Sequence, residues 1–353
     1  MNTKPIDAIA RALLYEGYML YPYRASSVKN RERFNFGVLY PRSYSEAQTG
    51  SDAWSMQTEC LVEGAPLAAI EVRVRSLKLV DRSLRKLVER APQQDGSPVV
   101  ENVSMIEVDG KVFKAWQEAV EQEVVVPVCN LTALTATPVE WKFSFPAREE
   151  LELLRDGNGQ VAGIVARKQE VVDGVIKIKA TRAADGVFKA RVSVKNLTPL
   201  EDDARQIARN QALMHSLVSA HILLGVENGQ FVSLLEPPEN LCDLAASCQN
   251  VGVWPVLVGT EGERDTMLAS PIILYDYPQI APESPGDLFD GTEIDEILAL
   301  RIMTMTEDEK SEMRNTDDRA RRILERTESL PMDHLMKLHG TLRELRPFKE
   351  EMP

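Results

Sequence analysis

The residues of this chain best suited to metal or nucleophile chemistry are four histidines and four cysteines. His215 and His221 stand six apart, and His334 and His339 five apart. Neither spacing puts a pair on one helical face, where two ligands need i and i+3 or i+4. His215 is expected to end a helix and His221 to begin a strand, in packing or surface roles. Cys242 and Cys248 are six apart, while Cys60 and Cys129 are isolated, so no C-x-x-C announces structural zinc. Free cysteines usually serve as small buried hydrophobes. Cys60 lies in SMQTECLVEG, beside acids and without a neighbouring His, Lys or Arg to lower its pKa. No metal site and no cofactor are expected.

Two charged segments carry more information. Residues 275–296, YDYPQIAPESPGDLFDGTEIDE, hold seven acids and no Lys or Arg. Asp276, Glu283, Asp287, Asp290, Glu293 and Asp295 are of the type that ligates Mg²⁺ or Ca²⁺ through oxygen, but their spacing departs from the EF-hand loop. Partner docking is a second reading. A solvated loop with acids placed by the next helix's N-terminus is a third. In residues 18–44, Arg24, Lys29, Arg31, Arg33 and Arg42 face the single acid Glu32, among aromatics. Stacking on single-stranded nucleic acid needs such a mixture. A net charge of −13 opposes that reading and also opposes anionic membranes, because both run on neutralising phosphates. The opposed charges predict instead one partner-binding surface. It would unite Arg24, Lys29, Arg31 and Arg33 with Tyr275, Asp276, Tyr277, Asp287, Asp290 and Glu293, packed together or flanking a groove for a client segment. No catalytic residue is assigned. The phosphate-loop, dinucleotide, G-x-S-x-G and H-E-x-x-H signatures do not occur.

The elements that must position these residues read as α+β. Ile6, Ile9 and Leu13 recur at helical spacing in 5–16, behind Pro5. Residues 18–44 read as strand, basic loop, strand. Residues 69–80 alternate as a half-buried strand, and 81–91 switch to helical spacing. β-branched and aromatic residues dominate 124–145. Three strands should follow across 160–196, with tight turns at 156–159, Asp173-Gly174 and Asp185-Gly186. Thr198 and Glu201 form a capping box for a helix over 199–216, and Asn228-Gly229 marks a hairpin. A short helix suits 239–248. Thr292 and the Thr306/Glu309 capping box open helices in the C-terminal third, with a break at Pro331. The expected architecture is an antiparallel β-sandwich or layered sheet with an N-terminal helix and a helical C-terminal third. The β-rich domain would occupy 1–250. An acidic loop and a helical region packing on it would fill 251–353.

The length of 353 residues, with 44% apolar and 27% charged residues, suits one large or two modest globular domains. The N-terminal residues lack a leader pattern, and no apolar run approaches a membrane span. Cysteine usage is not that of a disulfide scaffold. A cytoplasmic protein without membrane insertion is expected.

Two stretches are distinctive as phrases. One is LLYEGYMLYPYRASSVKNRERFNFGVLYP, followed by MQTECLVEG. The other is LASPIILYDYPQIAPESPGDLFDGTEIDEILALRIMTMTEDEK, followed by RILERTESLP. Together they resemble an uncharacterised family encoded beside high-affinity, oxygen-tolerant NiFe uptake hydrogenases of the actinobacterial type. The likeness spans nearly the whole chain, the middle β region being least distinctive. It implies a non-enzymatic accessory protein for hydrogenase assembly, maturation or tethering. Its partners would be hydrogenase subunits or other maturation proteins. A metal-dependent enzyme using 275–296, and a scaffold unrelated to hydrogenase, are the rival readings.

Overall fold

A computed structural model describes residues 4–25, 27–31, 33–48, 50, 52–87, 100–280, 284, 286, 288–289 and 295–331. Helix α1 (Lys4–Leu14) is followed by a loop with one 3-10 turn (Val28–Arg31), and then by α2 (Arg42–Ala47). Strands β1 (Ser55–Leu87), β2 (Val100–Val103), β3 (Met105–Val108), β4 (Lys111–Lys114) and β5 (Trp116–Asn130) lead to α3 (Leu131–Ala136). Next come β6 (Val139–Phe145), β7 (Arg148–Arg155), β8 (Val161–Gln169), β9 (Val172–Ala184) and β10 (Val187–Asn196). Helix α4 (Arg209–Met214), β11 (Val218–Val232), α5 (Cys242–Ala246), β12 (Trp254–Leu257) and β13 (Thr266–Ser270) follow. Helices α6 (Asp295–Met303), α7 (Glu307–Thr316) and α8 (Asp318–Glu328) close the described chain. The fold is α+β, as the sequence leads one to expect.

Strand β1, 33 residues long, organises the sheet by changing partners along its length. On one edge it pairs with β10, then β5, then β2; on the other with β11, then β8. Val72 thus sits between Leu224 and Val126, and Arg85 between Ile164 and Asn102. The main path runs β12-β13-β11-β1-β10-β9-β6, antiparallel throughout. One face of this curled sheet closes on itself through Ile70, Val72, Val126, Ile176, Val192 and Ile222, with Leu131 and Leu134 of α3. Alternating apolar residues on each strand supply that sandwich-like core. The other face, at Leu77, Leu79 and Ala119, receives the N-terminal segment, α4 and the C-terminal helices. Strands β12 and β13 belong to this same sheet, so its pairing runs on past residue 250.

Several local expectations are corrected, each for a tertiary reason. Residues 81–87 continue β1 instead of turning helical, because β8 and β2 pair with both of its edges there. The described residues of 18–44 hold one bridge, Leu39 to Leu217, in place of two strands. There the Asn30 side chain satisfies the backbone, accepting from Leu20 N (2.8 Å) and donating to Leu20 O (2.9 Å) and Arg24 O (3.0 Å). Asp173-Gly174 makes no turn. It lies inside β9, opposite Asn196 and Phe143, where a Cβ on Gly174 would come within 2.7 Å of Lys195 O. The helix expected over 199–216 is reduced to Arg209–Met214, since Thr198 Oγ1 is engaged with Asp173 N (2.9 Å) and Asn196 Oδ1 (2.6 Å). Asn228-Gly229 is not a hairpin. β11 runs through it, with Asn228 at φ 55° and Gly229 packed against Gly64 at an irregularity in β1. The turns at 156–159 and Asp185-Gly186, and the Thr306/Glu309 capping box, are as expected. Thr292 lies outside the described residues. Among the described residues no helix is long and apolar enough to cross a membrane.

Candidate functional site

The most elaborate polar construction lies where the N-terminal segment meets α8 and the start of β5. Asp317 caps α8, accepting from Arg319 N and Ala320 N, both at 2.8 Å. Its other oxygen accepts from the Tyr18 hydroxyl at 2.7 Å. Burial, with Asp317 alongside, pushes the Tyr18 phenol well above its ordinary pKa. Arg33, 5% exposed, donates to Tyr18 O (2.8 Å) and Gln117 O (2.6 Å). Its guanidinium lies 3.7 Å from the Trp116 ring centroid and 4.6 Å from that of Phe34. Burial lowers its pKa to about 10, against the pull of Tyr18 and Asp317, so it stays charged at neutral pH. A desolvated cation on an aromatic face is a strong use of this pairing.

Trp116 floors a groove of about 550 Å³. The indole is 8% exposed and its Nε1 donor meets no partner. A buried donor left unmade is costly, so the indole is held here by its packing and by Arg33. Phe34, Leu213 and Met214 add apolar lining, and Asp81, Lys168, Glu170 and Arg209 form a polar rim of both signs. The rim is pre-set. Arg209 donates to Phe34 O (3.1 Å) and Asn35 Oδ1 (2.9 Å), and Lys168 pairs with Glu170 at 2.5 Å. Burial raises the Asp81 carboxyl. An aromatic floor with a rim of mixed charge suits a peptide or a planar polar group.

The expected partner-binding residues are placed as follows. Arg24 pairs with Glu309 at 3.1 Å, tying the loop to α7, and Lys29 is exposed. Arg31 belongs to the 3-10 turn, and its side chain lies outside the described residues. Arg33 is buried in the network above instead of presenting charge to solvent. Tyr275 is 88% exposed. Asp276 accepts from Leu257 N (2.7 Å) and Ser233 Oγ (2.5 Å), and the Tyr277 hydroxyl donates to Glu263 O (2.9 Å). Asp287, Asp290 and Glu293 lie outside the described residues, as does Glu283. The contacts around 288–289 run through rings and backbone. Tyr23 OH donates to Leu288 O (2.6 Å), Gly17 N donates to Phe289 O (2.9 Å), and Phe289 packs 5.9 Å from Tyr18. No local pattern in the sequence singles out Trp116, Asp81, Lys168, Glu170, Arg209 or Asp317, which the fold gathers from five separate regions.

The described thiols and imidazoles are dispersed, and His334 and His339 lie outside the described residues. Cys60 is buried and its thiol pKa is pushed up, and burial takes that of Cys248 to about 11. Cys242 is exposed. His215 ends α4 with Nδ1 3.2 Å from Val171 O, and His221 is enclosed in β11. Among the described residues no three His, Cys, Asp or Glu side chains converge as a metal cluster. No family model matches the chain, and no curated protein matches it.

Proposed function

We propose that this chain is a non-enzymatic accessory factor for NiFe hydrogenase assembly, maturation or tethering, and that the Trp116–Arg33 groove receives a segment of its client. The reading rests on the resemblance carried by the two distinctive stretches. The observation that supports it is their interlocking: Tyr18, Tyr23 and Arg24 from the first meet Phe289, Leu288 and Glu309 from the second, and Arg33, bonded to Tyr18 O, continues into the groove. Asp317 joins the same unit through Tyr18. A surface built this way offers a rigid aromatic anchor surrounded by polar groups, the anatomy of a protein-binding hot spot. Affinity purification of the tagged chain from its native host, with mass spectrometry of the captured proteins, tests the reading. Hydrogenase subunits or maturation proteins are expected. Trp116→Phe, which keeps a ring but shrinks the aromatic floor of the groove, should reduce their recovery. Absence of such proteins from the captured set defeats the hydrogenase assignment. Equal recovery by Trp116→Phe defeats the groove.

A further inference from the structure

Strand β7 ends the sheet beside β8 and pairs with no other described strand. Its sequence is REELELLR, and all but Leu154 of its residues are exposed. Leu151 is 58% and Leu153 49% exposed, on the same side of the strand. An open edge with exposed leucines invites another strand. Two other edges, those of β12 and β5, are guarded. β12 carries Pro255 and is covered where Leu257 bonds Asp276 and Tyr277, and β5 carries Pro127. β7 has no proline, and the irregularity at its end places the extra residue on β8, at Ala162.

We propose that β7 is a homodimerisation edge, pairing antiparallel with β7 of a second copy about a two-fold axis at Glu152. In an antiparallel ladder, opposed residues both point their backbone groups at each other or both point away. For two identical strands this requires paired residue numbers of the same parity. Of the central registers that remain, the one centred on Glu152 sets Leu151 against Leu153 twice and Glu149 against Arg155 twice. Moving the centre to Leu151 opposes Glu150 to Glu152, and moving it to Leu153 opposes Leu151 to Arg155 and breaks up the leucine pairs. The two Glu152 side chains that meet at the axis are each held by their own Arg167 at 2.8 Å. Isologous pairing of this kind closes after two copies, so it ends the sheet edge without polymerising.

A single strand pair makes a small interface, so a dissociation constant in the micromolar range is expected, on the order of 1–100 µM. Sedimentation velocity of the full chain across that range should show a monomer–dimer equilibrium. Leu151→Lys with Leu153→Lys should weaken it by roughly 100-fold. The register has its own test. Glu149→Arg and Arg155→Glu each oppose like charges across the axis, so each alone should dimerise about tenfold more weakly. Mixed together, they restore both opposite-charge pairs, and a mixed dimer should form with near wild-type affinity. A chain that stays monomeric across the range, a dimer indifferent to the lysine pair, or a mixture no tighter than either variant overturns the proposal.

Discussion

His221 should make this fold acid-sensitive well above the carboxylate range. The ring is 1% exposed in β11, its Nδ1–H donates to Ser219 O at 2.6 Å, and its Nε2 has no partner. Ser219 sits at φ 51° where β11 slips register against β1, so the imidazole clasps an irregular turn of backbone. Burial, aided by the charge of the paired Arg75, lowers the His221 pKa from 6.5 to about 4. Between those values the unfolded chain takes up a proton that the folded chain refuses. The stability contributed is therefore whole above pH 6.5 and is lost as pH falls toward 4. At ~1.4 kcal/mol per unit the full loss is about 3 kcal/mol, and about 2 kcal/mol is already gone at pH 5. Urea denaturation of wild type and His221→Leu from pH 7.5 to 5 measures it. The variant strands Ser219 O and should be less stable at pH 7.5 by about 1–3 kcal/mol. Toward pH 5 the gap should close by ~2 kcal/mol. Every other titrating group is common to both proteins and cancels from the difference. A gap independent of pH would refute the reasoning.

Gly174→Ala should destabilise by about 1–3 kcal/mol, because the new Cβ meets Lys195 O at 2.7 Å and the Phe143 ring; a thermal melt checks it. Arg33→Met keeps the stem but strands Tyr18 O and Gln117 O and unpairs the charge near Asp317, and should cost about 3–5 kcal/mol by denaturant titration. Lys78, buried with its amine on Phe145 O and Pro146 O, has its pKa lowered to about 8 by burial and by Arg148. From pH 8 to 10.5 the unfolded chain holds the proton more firmly, so wild type should gain stability relative to Lys78→Met across that window. A constant difference would count against the shift.

Local sequence determined the α+β class, the N-terminal helix, the hairpin turns at 156–159 and Asp185-Gly186, and the Thr306/Glu309 cap. Each follows from neighbours within a few residues: alternation, helical spacing, or a side chain that satisfies adjacent backbone. Where a long-range partner competed with those signals, tertiary structure decided. Asn228-Gly229 and Asp173-Gly174 have turn chemistry, yet β1, β6 and β10 pair with the strands that contain them, and their glycines serve close backbone approach. Residues 81–87 have helical spacing, yet two flanking strands satisfy their backbone more fully than an isolated helix would. The candidate site is the extreme case. Arg33 read as a base of a partner-binding surface, but its environment is set by Trp116, Gln117 and Asp317, which lie 83 to 284 positions away in the chain. Burial and charge pairing depend on what packs against a residue, and sequence neighbours do not carry that information.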